Sequence, residues 1–584
     1  MSLARQLFLG SLIAALAAGS ALAGDPDGVL PNGIASGDVT TSSIVLWTRS
    51  TSVGGTVLFQ LAEEGDPSAG AQATTAVVAD ALEPLKVRFA HLSPATAYVY
   101  RVTDLATGAF LDGRFRTPAE SGRQALRFGV SGDWRGELAP YPAVKNVPAR
   151  DLDFFVELGD TIYADDTSPV LGSKPQAETL EEYRLKYTEV YGAVAGLNAL
   201  ADLRASTAVF AMIDDHEVTN DFAGGADVAS DPTFNDPPGT LINDSALYET
   251  GLQAFLDYHP IVDESWGDNG DPLTSGEHRL YRSSRFGQTA QILLLDARSF
   301  RDEELPEVAN PTDPAAIAAF LQASFDPSRT MLGKVQLRQL IRGLRGAQQA
   351  GVLWKFVLVP EPIQNLGPAA ASDRFEGYAA ERDALLAFIQ QQGIENVVFV
   401  TADFHGTLVN DLTRTDPSTI ATGQYVQLPV PAFEVITGAV AYDAPLGPTI
   451  AGLAFLAGLI DAQTFQFLTT PTGDLVLSGL QSAGVEQILD GLIDLLPLLG
   501  GPSYSHLGLD DSPLVDAHLL SGSYVATHTY GWTEFEIDPV TGVLTVITWG
   551  LPWYPEALVT GNPALIAALA PAEVSRFEVV PSGN

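Results

Sequence analysis

Asp153–Asp166, DFFVELGDTIYADD, is the stretch on which the fold turns. Its apolar run stops at Gly159-Asp160, and Tyr163 follows three residues after the aspartate. A buried strand that ends in a glycine turn would set a carboxylate and a phenol at its C-terminal edge. Open α/β sheets bind ligands at that edge. Alone, Gly-Asp also describes a surface turn beside a half-buried tyrosine, so recurrence has to decide.

The pattern does recur. ALRFGVSGDWRG (125–136) ends at Gly132-Asp133, AVFAMIDDHEVTND (208–221) at Asp214-Asp215-His216, and NVVFVTADFHG (396–406) at Asp403 and His405. Helical spacing separates these runs. ETLEEYRLKYTEVY (178–191) puts Leu180, Tyr183 and Tyr187 toward one face, and 245–258, 333–351 and 380–393 read the same way. With two more strand-like runs, QILLLDARSFR (291–301) and VLWKFVLVPEP (352–362), strands alternate with helices, the grammar of an α/β fold.

Upstream, residues 29–118 read as all-β, with short strands such as IVLWTRS and AYVYRVTD between Gly, Pro and Ser turns. HLSPATAYVYRV (91–102) resembles the tyrosine corner of fibronectin-like sandwiches. Downstream, 443–521 contains the apolar runs IAGLAFLAGLIDAQTFQFL and VEQILDGLIDLLPLLGG. They fall short of the roughly 18–20 uninterrupted apolar residues of a membrane span, so no transmembrane segment is expected in the mature chain. They read as a helical insertion that is buried, lipid-facing or an oligomer contact. WTEFEIDPVTGVLTVITWG (532–550) reads as a hairpin turning at DPVTG. Two long loops, 221–240 and 263–277, are expected to shape a site entrance.

Composition sets the bounds. A chain of 584 residues exceeds one ordinary core, and 46% apolar against 17% charged residues indicates a globular protein. A net charge of −40 argues against a nucleic-acid-binding surface, although bound cations can reverse the local field for a phosphate ester. The absence of cysteine excludes disulfides, thiolate metal sites and a cysteine nucleophile. Residues 1–23 have the form of a secretory signal, with Arg5, an apolar run from Leu7 to Leu16 and Ala21-Leu22-Ala23 before the cut. A secreted or periplasmic protein is expected.

Any one of these aspartates or histidines can be a cap or turn residue. Four at strand ends suggest ligands. Carboxylate, phenol and imidazole suit Fe³⁺, Mn²⁺, Zn²⁺ and Ca²⁺. Two ions about 3.5–4 Å apart can clamp an in-line phosphoryl displacement and activate a water, with no need for a serine or cysteine nucleophile. Asp133, Asp160, Tyr163, Asp215, Asp403 and His405 are the candidate ligands, with Asp160 as bridge. Asn220 can add an amide oxygen or simply make a turn. A phenol with an ordinary pKa of about 10 ligates as phenolate only beside a strongly charged ion, which points to a trivalent metal at Tyr163. His216, between Asp215 and Glu217, is the candidate general acid, with a structural histidine as the alternative. Arg135 is the candidate phosphate anchor. Arg298 and Arg301 could also bind the phosphate, but ion pairing with Asp296 or Asp302 is the expected fate of both.

These blocks resemble a known family. Gly159-Asp160-Thr161-Ile162-Tyr163 is similar to the G-D-x-x-Y block of purple-acid-phosphatase-type, calcineurin-like metallophosphoesterases. Asp214-Asp215-His216-Glu217 resembles their Asn-His-Glu block with Asp in the Asn place, and Thr401-Ala402-Asp403-Phe404-His405 their His-x-His block with Asp for the first His. With GIASGDVTTSSIVLWTR (33–49), the set resembles PhoD-like alkaline phosphatases and phosphodiesterases, from about residue 32 to 442 and again near the C-terminus. The resemblance implies a four-layer αββα domain (121–584) after a small fibronectin-like β-sandwich (24–120). It also implies secretion, phosphate-ester substrates, and Fe³⁺ held partly by tyrosine with Ca²⁺ as partner. Two departures stand out. Arg5 has no twin-arginine partner, so Sec is the alternative export route. Ser131-Gly132-Asp133 stands where better-known members place a cysteine iron ligand; Asp133 is the expected substitute, and Zn²⁺ or Mn²⁺ remain alternatives. Two other readings are a phospholipase-like hydrolase that docks lipid through 443–521, and a non-catalytic secreted binding protein. Ligand candidates in all four blocks speak against the latter.

Overall fold

A computed structural model describes residues 28–583 apart from 67, 309–312, 368–370, 443, 457, 470–487 and 489–507. The leader expected at 1–23 and about half of the 443–521 insertion lie outside the described residues. In chain order the strands are β1 (Ile34–Gly37), β2 (Ser43–Thr48), β3 (Thr56–Glu63), β4 (Gln72–Val77), β5 (Leu85–Ala90), β6 (Ala97–Asp104) and β7 (Phe110–Arg116). Then follow β8 (Leu126–Trp134), β9 (Phe154–Leu158), β10 (Ala208–Met212), β11 (Arg282–Phe286), β12 (Ala290–Leu294), β13 (Trp354–Leu358) and β14 (Val397–Thr401). The last are β15 (Thr407–Thr415), β16 (Gln427–Ile436), β17 (Ala439–Ala441), β18 (Asp516–Ser521), β19 (Val525–Ala526), β20 (Thr529–Ile537), β21 (Leu544–Pro552) and β22 (Ala572–Val580).

Two large sheets lie face to face. One runs β18-β22-β21-β20-β8-β9-β10-β1-β2-β5, with β17 added beside β8, and the other β11-β12-β13-β14-β16-β15-β19. Alternation in the second sheet shows why it is buried on both sides. Phe356, Leu358, Val398 and Val400 join the core between the sheets, whereas Val357, Val359, Val397 and Phe399 pack with Leu340, Leu344, Leu385 and Ile389 of the helices Lys334–Gln349 and Ala379–Gln391. Between the sheets Phe128 stacks on Phe154 and Phe535 at 4.7 and 4.8 Å and meets Phe356 edge-on at 4.9 Å. Such pairs are each worth about 0.5–1.5 kcal/mol beyond the area they bury. Helices Leu180–Val190, Ala199–Ser206 and Ala246–Tyr258 contribute buried side chains to the first sheet's core, giving the αββα order. The first of these starts on a Thr179–Glu182 capping box.

The N-terminal strands form a sandwich with β4-β3-β6-β7 as one sheet and β1-β2-β5 opposite. The tyrosine corner is present: the Ser93 amide donates to Tyr98 Oη at 2.8 Å. The second half of the sandwich is also part of the first large sheet, because β1 pairs in parallel with β10. Trp47 seals this junction, donating from Nε1 to the Asp257 carbonyl at 2.8 Å beneath the Arg204 guanidinium.

The four candidate strand ends are divided between the sheets: β8, β9 and β10 are parallel neighbours in the first, and β14 belongs to the second. One expectation needs correction. The insertion is helical at Leu446–Leu456 and Ala462–Thr469, but its end, Asp516–Ser521, is an edge strand paired with β22. His518 and Leu519 alternate there between neighbours that the apolar runs upstream gave no reason to expect. The hairpin β20–β21 turns at 538–542 as read, and lengthens the first sheet beside β8. No helix among the described residues is long and apolar enough to cross a membrane.

Candidate metal centre

The C-terminal ends of β8, β9 and β10 meet those of β12, β13 and β14 across the two sheets. The candidate ligands sit on left-handed backbone: Asp133, Asp160, Asp403 and His405 have φ of 62, 52, 61 and 54°. Aspartate and histidine tolerate this region better than most residues, at a cost of order 1–3 kcal/mol each. Gly159, at φ 83°, has no substitute, since a Cβ there would lie 2.6 Å from the Cβ of Asp214. Buried Glu217 ties two of the turns together, accepting from the amides of Thr161 at 2.6 Å, Asp214 at 2.9 Å and Asp160 at 3.3 Å.

Asp160 stands in three groups of potential ligands whose donor atoms lie within 4.8 Å of one another: with Asp133 and His405, with Asp215 and His216, and with Asp214 and Asp403. Tyr163 Oη is 3.1 Å from Asp160 Oδ2, and His405 Nε2 is 3.4 Å from Asp133 Oδ1. Both Asp133 oxygens, His405 Nε2 and Asp214 Oδ2 are buried with no hydrogen-bond partner. Burial, then the charges of Asp215, Asp214 and Asp133, pushes the Asp160 carboxyl well above the usual range. Burial, then Asp214 and Asp373, does the same to Asp403, and burial with Asp160 and Asp133 raises the Tyr163 phenol. Two full charges about 4 Å apart repel by about 4 kcal/mol at an effective dielectric near 20, a large share of the roughly 5–15 kcal/mol that holds a domain folded. Such oxygens are buried stably only if protonated or supplied with cations. Oxygen donors around one shared carboxylate, with the imidazoles of His405 and His216, fit hard or borderline ions.

His216 lies at the rim of this group. Its Nδ1 is 2.6 Å from Asp165 Oδ1, whose other oxygen accepts from the Asn220 amide at 2.8 Å. The Tyr163 ring is 4.3 Å from the imidazole. Burial would lower the His216 pKa, but Asp215 and Asp165 outweigh it and hold it up at about 10. Asn220 itself is exposed, and its backbone amide is what ties it to the site. Arg135 is pinned between Glu137 at 3.5 Å and Asp166 at 3.0 Å, with its side chain 17% exposed. Ser131, two residues before Asp133, turns away: its Oγ is 2.9 Å from the Gly531 carbonyl and 3.0 Å from that of Gly438.

On the other side of Asp214 the residues differ from expectation. Arg298 is fully buried and pairs neither with Asp296 nor with Asp302 through its side chain. It bonds Asp214 at 2.6 Å, Glu361 at 2.6 Å and Asp373 at 2.7 Å, with Asp215 3.7 Å away. Arg301 joins Glu361 at 2.7 Å and also Asp373. Asp215 is held below the usual carboxylate range because Arg298 and His216 outweigh the effect of burial. Glu361 and Arg298 follow β13 and β12 as Asp160 follows β9, so the strand-end rule could have found both. Asp165 and Asp373 had no such signal.

Comparison with known proteins agrees with this architecture. A family profile for PhoD-like phosphatase matches residues 130–450, and one for the PhoD-like phosphatase N-terminal domain matches 17–119. Alkaline phosphatase D of Bacillus subtilis (strain 168) is 27% identical over 417 residues, covering 65% of each chain, so the match spans just under two thirds of that relative. A solved structure described as "Structure of PhoD" has a TM-score of 0.63 at 19% identity, covering 94% of this chain and 90% of that one, which shows a shared fold. The matched profiles span both the sandwich and the two-sheet body that carries the acidic cluster, and the chain belongs to the PhoD-like phosphatase family.

Proposed function

We propose that this protein is a secreted phosphoric ester hydrolase with a binuclear metal centre bridged by Asp160. The observation that carries the reading is the sharing of Asp160 among three groups of potential ligands, beside the partnerless Asp133 oxygens, His405 Nε2 and Asp214 Oδ2. One ion would be held by Asp133, Asp160, Tyr163 and His405, and the other by Asp160, Asp215 and Asp403, with Asn220 at the rim. When bound, the ions would acidify a water and neutralise charge on the phosphoryl oxygens. Tyr163 as a ligand, the family resemblance and the oxygen-rich donor set favour Fe³⁺ with Ca²⁺; Zn²⁺ or Mn²⁺ would serve the same donors.

The chain's own residues do the rest. Asp165 holds the proton on His216 Nδ1, which leaves Nε2 to deliver a proton to the departing alkoxide. Arg135, fixed by Glu137 and Asp166, would bind a non-bridging phosphate oxygen. Glu217 and Arg298 keep the strand-end turns and the Asp214–Asp215 carboxylates in place. Protein stripped with chelator and reconstituted ion by ion should regain hydrolysis of nitrophenyl phosphate or bis-nitrophenyl phosphate. Activity on either ester that is indifferent to chelation would defeat the reading. If Tyr163 holds Fe³⁺, the native protein is coloured and Tyr163→Phe bleaches it.

A second reading, hydrolysis of lipid phosphodiesters, is favoured by exposed Phe455, Leu456, Leu459 and Phe467 at the insertion. The helix Leu446–Leu456 starts at the site itself, where the Leu446 amide donates to the His405 carbonyl at 3.0 Å. Leu456→Glu with Phe467→Glu would then slow turnover of dispersed phospholipid far more than that of a nitrophenyl ester, and equal rates would dismiss the lipid reading.

A further inference from the structure

A histidine that ligates a metal ordinarily donates its other ring nitrogen to a carboxylate, carbonyl or water, which fixes the ring and strengthens the ligand. His216 has such a partner in Asp165. His405 has none among the described residues. Its Nε2 lies 3.4 Å from Asp133 Oδ1 without a hydrogen-bond partner, and its backbone is left-handed and followed by Gly406. Nε2 is the nitrogen aimed at Asp133; among the described residues no carboxylate or carbonyl accepts from Nδ1, and with 21% of the side chain exposed that nitrogen is left to solvent.

What the ring does have is Tyr442. The two rings stack with centroids 3.7 Å apart and 22° between planes. Tyr442 is placed from the side of Asp133. It follows β17, whose Ala439 and Ala441 pair with Gly132 and Trp134 of β8, and the Ala441 carbonyl accepts from the Arg135 amide at 3.1 Å. Tyr163 lies 5.0 Å from it as a second aromatic neighbour. One strand register thus fixes both Asp133 and the ring against which His405, from the other sheet, comes to rest.

We propose that Tyr442 is the positioning residue for His405: its stacked ring stands in for a protein hydrogen-bond partner and keeps Nε2 aimed at the ion shared with Asp133. The inference rests on the reading of Asp133 and His405 as metal ligands. Tyr442→Phe keeps the stacking plane and removes only the hydroxyl, whereas Tyr442→Leu keeps apolar bulk and removes the plane.

The test equilibrates purified holoprotein with a series of EDTA concentrations and measures the metal retained per chain by elemental analysis. Tyr442→Leu should release its first equivalent at about 10- to 100-fold lower EDTA than the parent, and Tyr442→Phe within about twofold of it. Metal retention by Tyr442→Leu equal to the parent overturns the proposal, and so does release from Tyr442→Phe as easy as from Tyr442→Leu. His405→Ala separates the levels. Early release there, with Tyr442→Leu unchanged, defeats Tyr442 alone; parental retention in His405→Ala defeats the ligand assignment and the proposal with it. Urea unfolding of the metal-free forms checks the fold, and Tyr442→Met replaces Tyr442→Leu if the latter does not fold.

Discussion

At the Arg298 end of the acidic cluster, Asp214, Glu361 and Asp373 each have a guanidinium beside them, and Arg301 adds a second cation to Glu361 and Asp373. At the Asp133 end, Asp133 and Asp160 face one another, Tyr163 and His405 with no arginine among the donor groups, and both Asp133 oxygens are orphaned. The two ends are similarly buried and similarly acidic, yet the protein supplies its own cations to only one. A buried carboxylate left uncompensated costs several kcal/mol, and under the proposed function the other end receives that charge from bound ions. Arginine marks the part of the cluster that is architecture, the Asp133 end has none, and Asp215, 3.7 Å from Arg298, stands at the boundary between them.

Substitutions can break or sharpen this contrast. Asp160→Asn removes the shared carboxylate and should abolish retained metal, lowering kcat/KM by about four orders of magnitude, or roughly 5.5 kcal/mol of transition-state stabilisation; steady-state kinetics with elemental analysis checks both. Arg298→Gln strips the cation from the architectural end. It should destabilise the fold by about 3–5 kcal/mol in urea titration, while whatever folds still binds metal. If Arg298→Gln lost metal without losing stability, the division between the ends would be wrong. Asp165→Asn acts at the rim. It should slow hydrolysis of an alkyl phosphate by about 10²-fold and a nitrophenyl ester much less, because only the poor leaving group needs His216's proton; a leaving-group series shows the difference. Asn220→Ala should be mildest, weakening metal binding by about tenfold or less, since Asp165 is bonded by the backbone amide and not the side chain; EDTA titration reads it.

How much the sequence disclosed follows from how local each signal is. Apolar runs that stop at Asp or His announce themselves within a dozen residues, so Asp133, Asp160, Asp215, Asp403 and His405 could be picked out by the recurrence of that pattern. The tyrosine corner and the β20–β21 turn are local in the same way. Arg298 was assigned to Asp296 or Asp302 because those are near in sequence, but its partners Asp214 and Asp373 are 84 and 75 residues away. Sheet membership has no local signal either: β14 reads like β9, and only pairing across the fold places it in the second sheet. The continuity of the sandwich with the main sheet rests on two register pairs, Ser36 with Ala208 and Gly37 with Val209, which no periodicity encodes. Tyr442 was invisible because a stacking partner has no motif.

The most direct test of the account is anomalous scattering from crystals of the protein purified without added metal. The account predicts two ions whose coordination spheres share Asp160, one of them also touching Asp133, Tyr163 and His405, and none among Arg298, Arg301 and Glu361. A single ion, or an ion seated at the arginine end with Asp133 and Asp160 bare, would contradict it.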